Sequence, residues 1–150
     1  MRPEARGTRR EMLKVVVAGF LASVAWTAFA ADGPVKVVYH MNEGVERAPQ
    51  AIRNIRNHLN ADPTAKIVVV SHAAGINFLM KDAKDANGNP FEVSVQDLVS
   101  KGVEFRVCEY TLKSRNISKD QMIEEVKYVP SGVAEVGRLQ AKEGYAYLKP

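Results

Sequence analysis

The chain has 150 residues, one cysteine and a formal net charge of +4, with 46% hydrophobic and 25% charged residues. Five basic residues (Arg2, Arg6, Arg9, Arg10, Lys14) and two acidic ones (Glu4, Glu11) lie in the first 30 positions; taking them from totals of 21 and 17 leaves 16 and 15. The remaining ~120 residues are close to neutral, which argues against nucleic acid or anionic membrane as partner, and they suffice for one domain with one core but not for two.

Residues 1–30 read as an export signal. The basic stretch is followed by the apolar run Val15 to Ala30, which closes on Ala28-Phe29-Ala30, the order of a cleavable secretory leader. The run is short for a membrane span, which needs about 20 apolar residues. Thr8-Arg9-Arg10-Glu11-Met12-Leu13-Lys14 is similar to the twin-arginine export motif, with an ordinary secretory signal as the alternative. The mature protein, residues 31–150, is expected in the periplasm with no stable membrane anchor after cleavage.

Strand and helix patterns alternate through the mature chain. Strands are expected near residues 35–40, 66–71, 103–108, 126–129 and 145–148. The first is the β-branched run ending at His40, and a helix follows with Val45, Ala48, Ala51, Ile52, Ile55 and Leu59 at steps of three and four. Ile67 to Val70 is continuously apolar, the pattern of a strand buried on both faces, and ends at Ser71-His72. A short helix is expected around Ile76, Leu79, Met80 and Ala83.

Asp85 to Pro90 forms a loop with an Asp-x-Asn-x-Asn spacing like that of a calcium loop, but Pro90 stands where that loop needs glycine and Gln96 where it needs glutamate, so it reads as a surface turn. Ser94 is the expected cap of a helix that stops at Gly102. Val103 to Cys108 is the third strand, residues 112–123 are polar and weakly periodic, and Val126 to Val129 is the fourth strand. Pro130-Ser131-Gly132 then opens a helix through Val133, Val136 and Leu139; Gly144 ends it before Tyr145 to Leu148.

This alternation predicts an α/β fold: a flavodoxin-like three-layer sandwich with a five-stranded parallel sheet in the order 2-1-3-4-5. In such a sheet the carboxyl ends of the strands share one edge, where ligands bind. His40, His72 and Cys108 end strands one, two and three, so two of three histidines and the sole cysteine reach that edge. His58, on the first helix, reads as surface.

An exported protein normally pairs its cysteines, so an odd one points to a reactive or intermolecular thiol; the plain alternative is a small buried apolar residue. Beside a helix start and with Arg106, Arg115 or a histidine near, Cys108 would have a depressed pKa and serve as nucleophile or sulfur carrier. Glu109, next to it, is expected to oppose ionisation. The same cluster offers imidazole and thiolate ligands to zinc or copper, or its histidines simply bond loop backbone.

Four segments together resemble the DsrE/DsrF-like family: Val35 to Glu43, Lys66 to Ile76, Gly102 to Cys108 with Thr111-Leu112, and Val129 to Glu135. The resemblance spans roughly residues 34–150. It implies a small flavodoxin-like subunit that assembles into homo-oligomers, with Tyr145 and Tyr147 on the last strand as candidate contacts. In the sulfur-relay members a cysteine carries persulfide sulfur between partner proteins, which gives Cys108 the carrier role. The candidate substrate contacts are His40, Asn42, Glu43, His72, Arg106, Thr111 and Arg115. The expected partners are sulfur donor and acceptor proteins or small sulfur compounds, with no cofactor. The alternative reading is a non-enzymatic periplasmic protein that binds a metal or small ligand at the His40/His72/Cys108 edge.

Overall fold

A computed structural model describes residues 33–150, and the expected export signal lies outside the described residues. The strands are β1 (Lys36–Met41), β2 (Lys66–Ser71), β3 (Glu104–Cys108), β4 (Val126–Val129) and β5 (Ala146–Leu148). The helices are α1 (Ala48–Ala61), α2 (Phe91–Ser100), α3 (Glu109–Ser114) and α4 (Gly132–Glu143). Each expected strand is present within one residue of its expected bounds. All pairings are parallel.

The strand order corrects the expectation. It is β4-β3-β2-β1-β5, not 2-1-3-4-5. The reason is legible in β2, whose residues Ile67 to Ser71 are all buried. A strand apolar on both faces belongs at the centre of a sheet, whereas the expected order would have left it on an edge. The edges go instead to β4 and to β5, whose three residues are all exposed.

The order also sets the layers. From β1 to β4 each strand is laid beside the last in one direction, so right-handed crossovers put their connecting helices on one face. The return from β4 to β5 runs back across the sheet, and its helix α4 lies on the other face. Side-chain parity agrees. Val37, Tyr39, Ile67, Val69, Phe105 and Val107 pack into the large core with α1 and α2. Val38, Val68 and Val70 pack against Val136 and Leu139 of α4. The three-layer α/β sandwich is therefore present.

Local chemistry places the helices. Pro49 sits in the first turn of α1, where its missing N–H costs nothing. The expected cap Ser94 is corrected: α2 starts at Phe91 after an extended Pro90, because buried Phe91 anchors the first turn against Phe78, ring centroids 6.0 Å apart. Ser94 lies inside α2, where its hydroxyl accepts from Arg56 at 3.3 Å. The expected short helix after β2 is a 3-10 segment, Ala73–Leu79. Gly75 passes so close under β1 that any Cβ there would run into the Met41 carbonyl.

Candidate functional site at the carboxyl edge of the sheet

Alternation along parallel strands puts every second side chain on one face. His40, which follows Val38 by two, His72, which follows Val70 by two, and Arg106 and Cys108 on β3 all share the α4 face. Connections leave β1, β2 and β3 towards one face of the sheet and leave β4 towards the other. The direction thus reverses between β3 and β4, the place where open α/β sheets form their binding crevice. Cys108 ends β3 there, opposite Val129 of β4.

Cys108 is 5% exposed and unpaired, and it is also the residue from which α3 starts. Burial pushes its thiol up, but the N–H of Gly132, the hydroxyl and N–H of Thr111 and the N–H of Tyr110 outweigh that effect and hold it below its ordinary value. Two helix starts thus meet at one sulfur. In the protonated form the thiol donates to the Pro130 carbonyl at 3.9 Å. Glu109, expected to oppose ionisation, pairs its carboxylate with Lys119.

Space is tight at Gly132, where α4 begins. A Cβ there would lie 3.0 Å from the Cβ of His72 and 3.3 Å from that of Cys108. The first turn of α4 is capped by Ser131, whose hydroxyl accepts from the Ala134 N–H at 3.3 Å.

Thr111 is held in turn. Its hydroxyl accepts from the Ala73 N–H at 3.0 Å, and Ala73 has φ +50°, a left-handed conformation uncommon for a residue with a side chain. Arg115 fixes that strained turn, donating to the Ala73 carbonyl at 3.1 Å and to Asn77 Oδ1 at 2.8 Å.

His40 and His72 meet through nitrogen, Nε2 to Nε2 at 2.7 Å, and Tyr147 of β5 holds His40 Nδ1 at 2.8 Å. Burial lowers the pKa of both imidazoles. For His40 the charges of His72 and Lys149 add to it, and for His72 that of Lys149 does.

The expected substrate contacts therefore separate into four groups. His40, His72 and Thr111 gather at the Cys108 edge. Arg106 is engaged elsewhere, paired with Glu104 at 2.8 Å and with Glu135, which also binds Arg138 at 2.8 Å. Arg115 supports the turn before Thr111. Asn42 and Glu43 lie beyond β1, where Asn42 accepts from Lys149 and Glu43 pairs with Arg47 at 3.1 Å and Lys149 at 3.5 Å. His58, read as surface, is half-buried and bonds the Tyr39 hydroxyl through Nδ1 at 3.2 Å. Among the described residues, no three His, Cys, Asp or Glu side chains come together as a group that could hold a metal.

Sequence reasoning assigned no site role to Gly132, Ala73 or Tyr147. Gly132 carried a signal, a glycine directly after Pro130-Ser131 at the start of a helix that follows a strand. Ala73 carried none, since nothing in its type foretells a positive φ.

The family model described as DsrE/DsrF-like family matches residues 22–150. The solved structure of MTH1491 from Methanobacterium thermoautotrophicum, a protein of unknown function, is 33% identical with a TM-score of 0.69, over 77% of this chain and 99% of that one. The ychN protein from E. coli has the same fold at 13% identity, with a TM-score of 0.61 over 79% of this chain and 99% of that one. No curated protein matches the chain.

Proposed function

The chain belongs to the DsrE/DsrF-like family, and from that premise we propose that it is an exported sulfur-relay protein that carries persulfide sulfur on Cys108 between a donor and an acceptor. One observation carries the reading: Cys108 ends β3 where α3 and α4 both begin, and there the N–H groups of Gly132, Thr111 and Tyr110 and the Thr111 hydroxyl hold its thiol below its ordinary value. Thiolate is the attacking species in thiol chemistry, and donors aimed at the sulfur favour it. The export half of the proposal draws on residues 1–30, whose basic, apolar and small-x-small order is that of a leader.

The metal-binding alternative has less support, because His40 and His72 turn their Nε2 atoms to each other and no third ligand joins them among the described residues. The test is mass spectrometry of purified protein mixed with polysulfide or thiosulfate. One added sulfur atom is expected on the Cys108 peptide, removable by reductant and absent in Cys108→Ser. Equal addition to that variant, or none to the wild type, overturns the reading.

A further inference from the structure

Cys108 joins a nucleophilic atom to very little open surface. The residue is 5% exposed. From the β4 side, the turn that opens α4 is packed against it. The thiol and the Tyr110 N–H both donate to the Pro130 carbonyl, at 3.9 and 3.2 Å. Gly132, itself buried, passes so near that an added Cβ would lie 3.3 Å from that of the cysteine. Thr111, one turn into α3, is buried as well. An atom that reaches this sulfur must therefore bring little with it.

Displacement at sulfur runs in line, so the leaving group trails away from the attacking thiolate and out of the protein. The bulk that has to enter is whatever else the attacked sulfur carries. The outer sulfur of a persulfide carries only hydrogen, and that of thiosulfate carries nothing. Each sulfur of a disulfide carries a carbon chain, which must come in alongside the thiolate.

On the reading that Cys108 carries sulfur, we infer that its burial makes the site selective for a terminal sulfur atom: it accepts the outer sulfur of a persulfide, polysulfide or thiosulfate and excludes disulfides.

The Cys108 thiolate attacks the outer sulfur of R–S–S–H. A bond forms from Sγ to that sulfur, the donor's S–S bond breaks, and its electron pair leaves on R–S⁻. Cys108 then holds –S–S–H, with no net oxidation. In delivery, an acceptor thiolate R′–S⁻ attacks the same outer sulfur, forms R′–S–S–H and returns the Cys108 thiolate. Attack at the inner sulfur would instead join R′ to Cys108 as a disulfide and release hydrosulfide. The outer sulfur stands about 2 Å beyond Sγ, while the inner one keeps the cover of the resting cysteine. The same packing thus steers the acceptor to the atom that is to be passed on.

The experiment follows wild-type protein by mass spectrometry with two reagents, glutathione persulfide and glutathione disulfide, in the folded state and unfolded in urea. Folding should slow exchange with the disulfide about a hundredfold or more, and loading from the persulfide by less than about tenfold, because access and the sulfur attacked both set such rates. Comparing the two reagents within each state cancels any change in thiol ionisation, since both react with the same thiolate. A ratio of the two rates that folding leaves unchanged overturns the selectivity and leaves the carrier reading standing. Failure to load from glutathione persulfide overturns both.

Loaded protein, freed of donor, is then given glutathione. Glutathione persulfide is expected as the first product, with Cys108 returned as free thiol. Hydrosulfide as the first product, with glutathione left on Cys108, overturns the steering.

Discussion

Gly132 and Cys108 close the gap between β3 and β4 so tightly that a single added carbon at position 132 would sit 3.3 Å from the Cβ of the cysteine and 3.0 Å from that of His72. Both neighbours are Cβ atoms fixed to the backbone, so relief needs a small backbone shift and not a side-chain rotation.

Gly132→Ala is expected to push the start of α4 outward. The thiol then loses the N–H it receives from residue 132, and its pKa rises. Overpacking of this kind costs about 1–3 kcal/mol. Iodoacetamide labelling across pH 5 to 10 gives the thiol midpoint and urea denaturation gives the stability. An unchanged midpoint would show that the Gly132 N–H does not hold the thiolate.

Thr111 supports the sulfur by two routes, its hydroxyl and its N–H. Thr111→Val removes the first alone. Alkylation at pH 7 should slow several-fold, and the Ala73 N–H, left without an acceptor, should cost about 1–3 kcal/mol of stability. Thr111→Ser should restore both. Slowing that persists in the serine variant would assign the effect to packing.

The imidazole pair makes stability depend on pH in a known direction. Both pKa values lie below 6.5 in the folded protein. As pH falls from that value, the unfolded chain takes up protons that the folded one refuses, so stability declines until the folded pKa values are passed. Urea midpoints measured from pH 7.5 down to pH 5 should fall. The doubly substituted His40→Gln, His72→Gln protein should show a shallower slope, and an equal slope would mean other groups cause it.

Glu135, only 9% exposed, stands between Arg106 and Arg138. Glu135→Ala leaves the half-buried Arg106 guanidinium with Glu104 alone, which should cost about 2 kcal/mol, less than for a fully buried pair because one partner remains. Cys108 alkylation should be unaffected. A matching loss of thiol reactivity would tie this network to the site.

Export has its own test. Protein recovered from the periplasm should begin near residue 31, and replacing Arg9 and Arg10 by lysine should block its arrival there. Arrival undiminished would place the leader in the ordinary secretory class, and a start at Met1 would show it is not cleaved.

Much of the fold could be read from single residues. The β-branched run ending at His40 and the apolar run Ile67 to Val70 marked two strands, and Gly144, with φ +72°, marked the end of α4. The strand order was less accessible, because nothing within a strand names its neighbour. The both-face burial of β2 was the clue that it lies at the centre. In the site, His40, His72 and Cys108 lie at the carboxyl ends of β1, β2 and β3 as expected, and parity along the strands adds that they share one face. What the sequence did not reveal was how each charge is matched. Arg106 and Arg115 looked available to the thiol, but Glu135 and the Ala73 carbonyl claim them, and Glu109 looked hostile to it until Lys119 is placed beside it.

The bond between His40 and Tyr147 joins residues 107 apart in the sequence, because β5 pairs with β1. Closing so long a loop is slow relative to forming the local strand–helix–strand units that build β1 through β4. The Tyr147 contact to the His40–His72 pair therefore comes into being only when the sheet is finished, so it distinguishes a completely folded chain from a partly folded one.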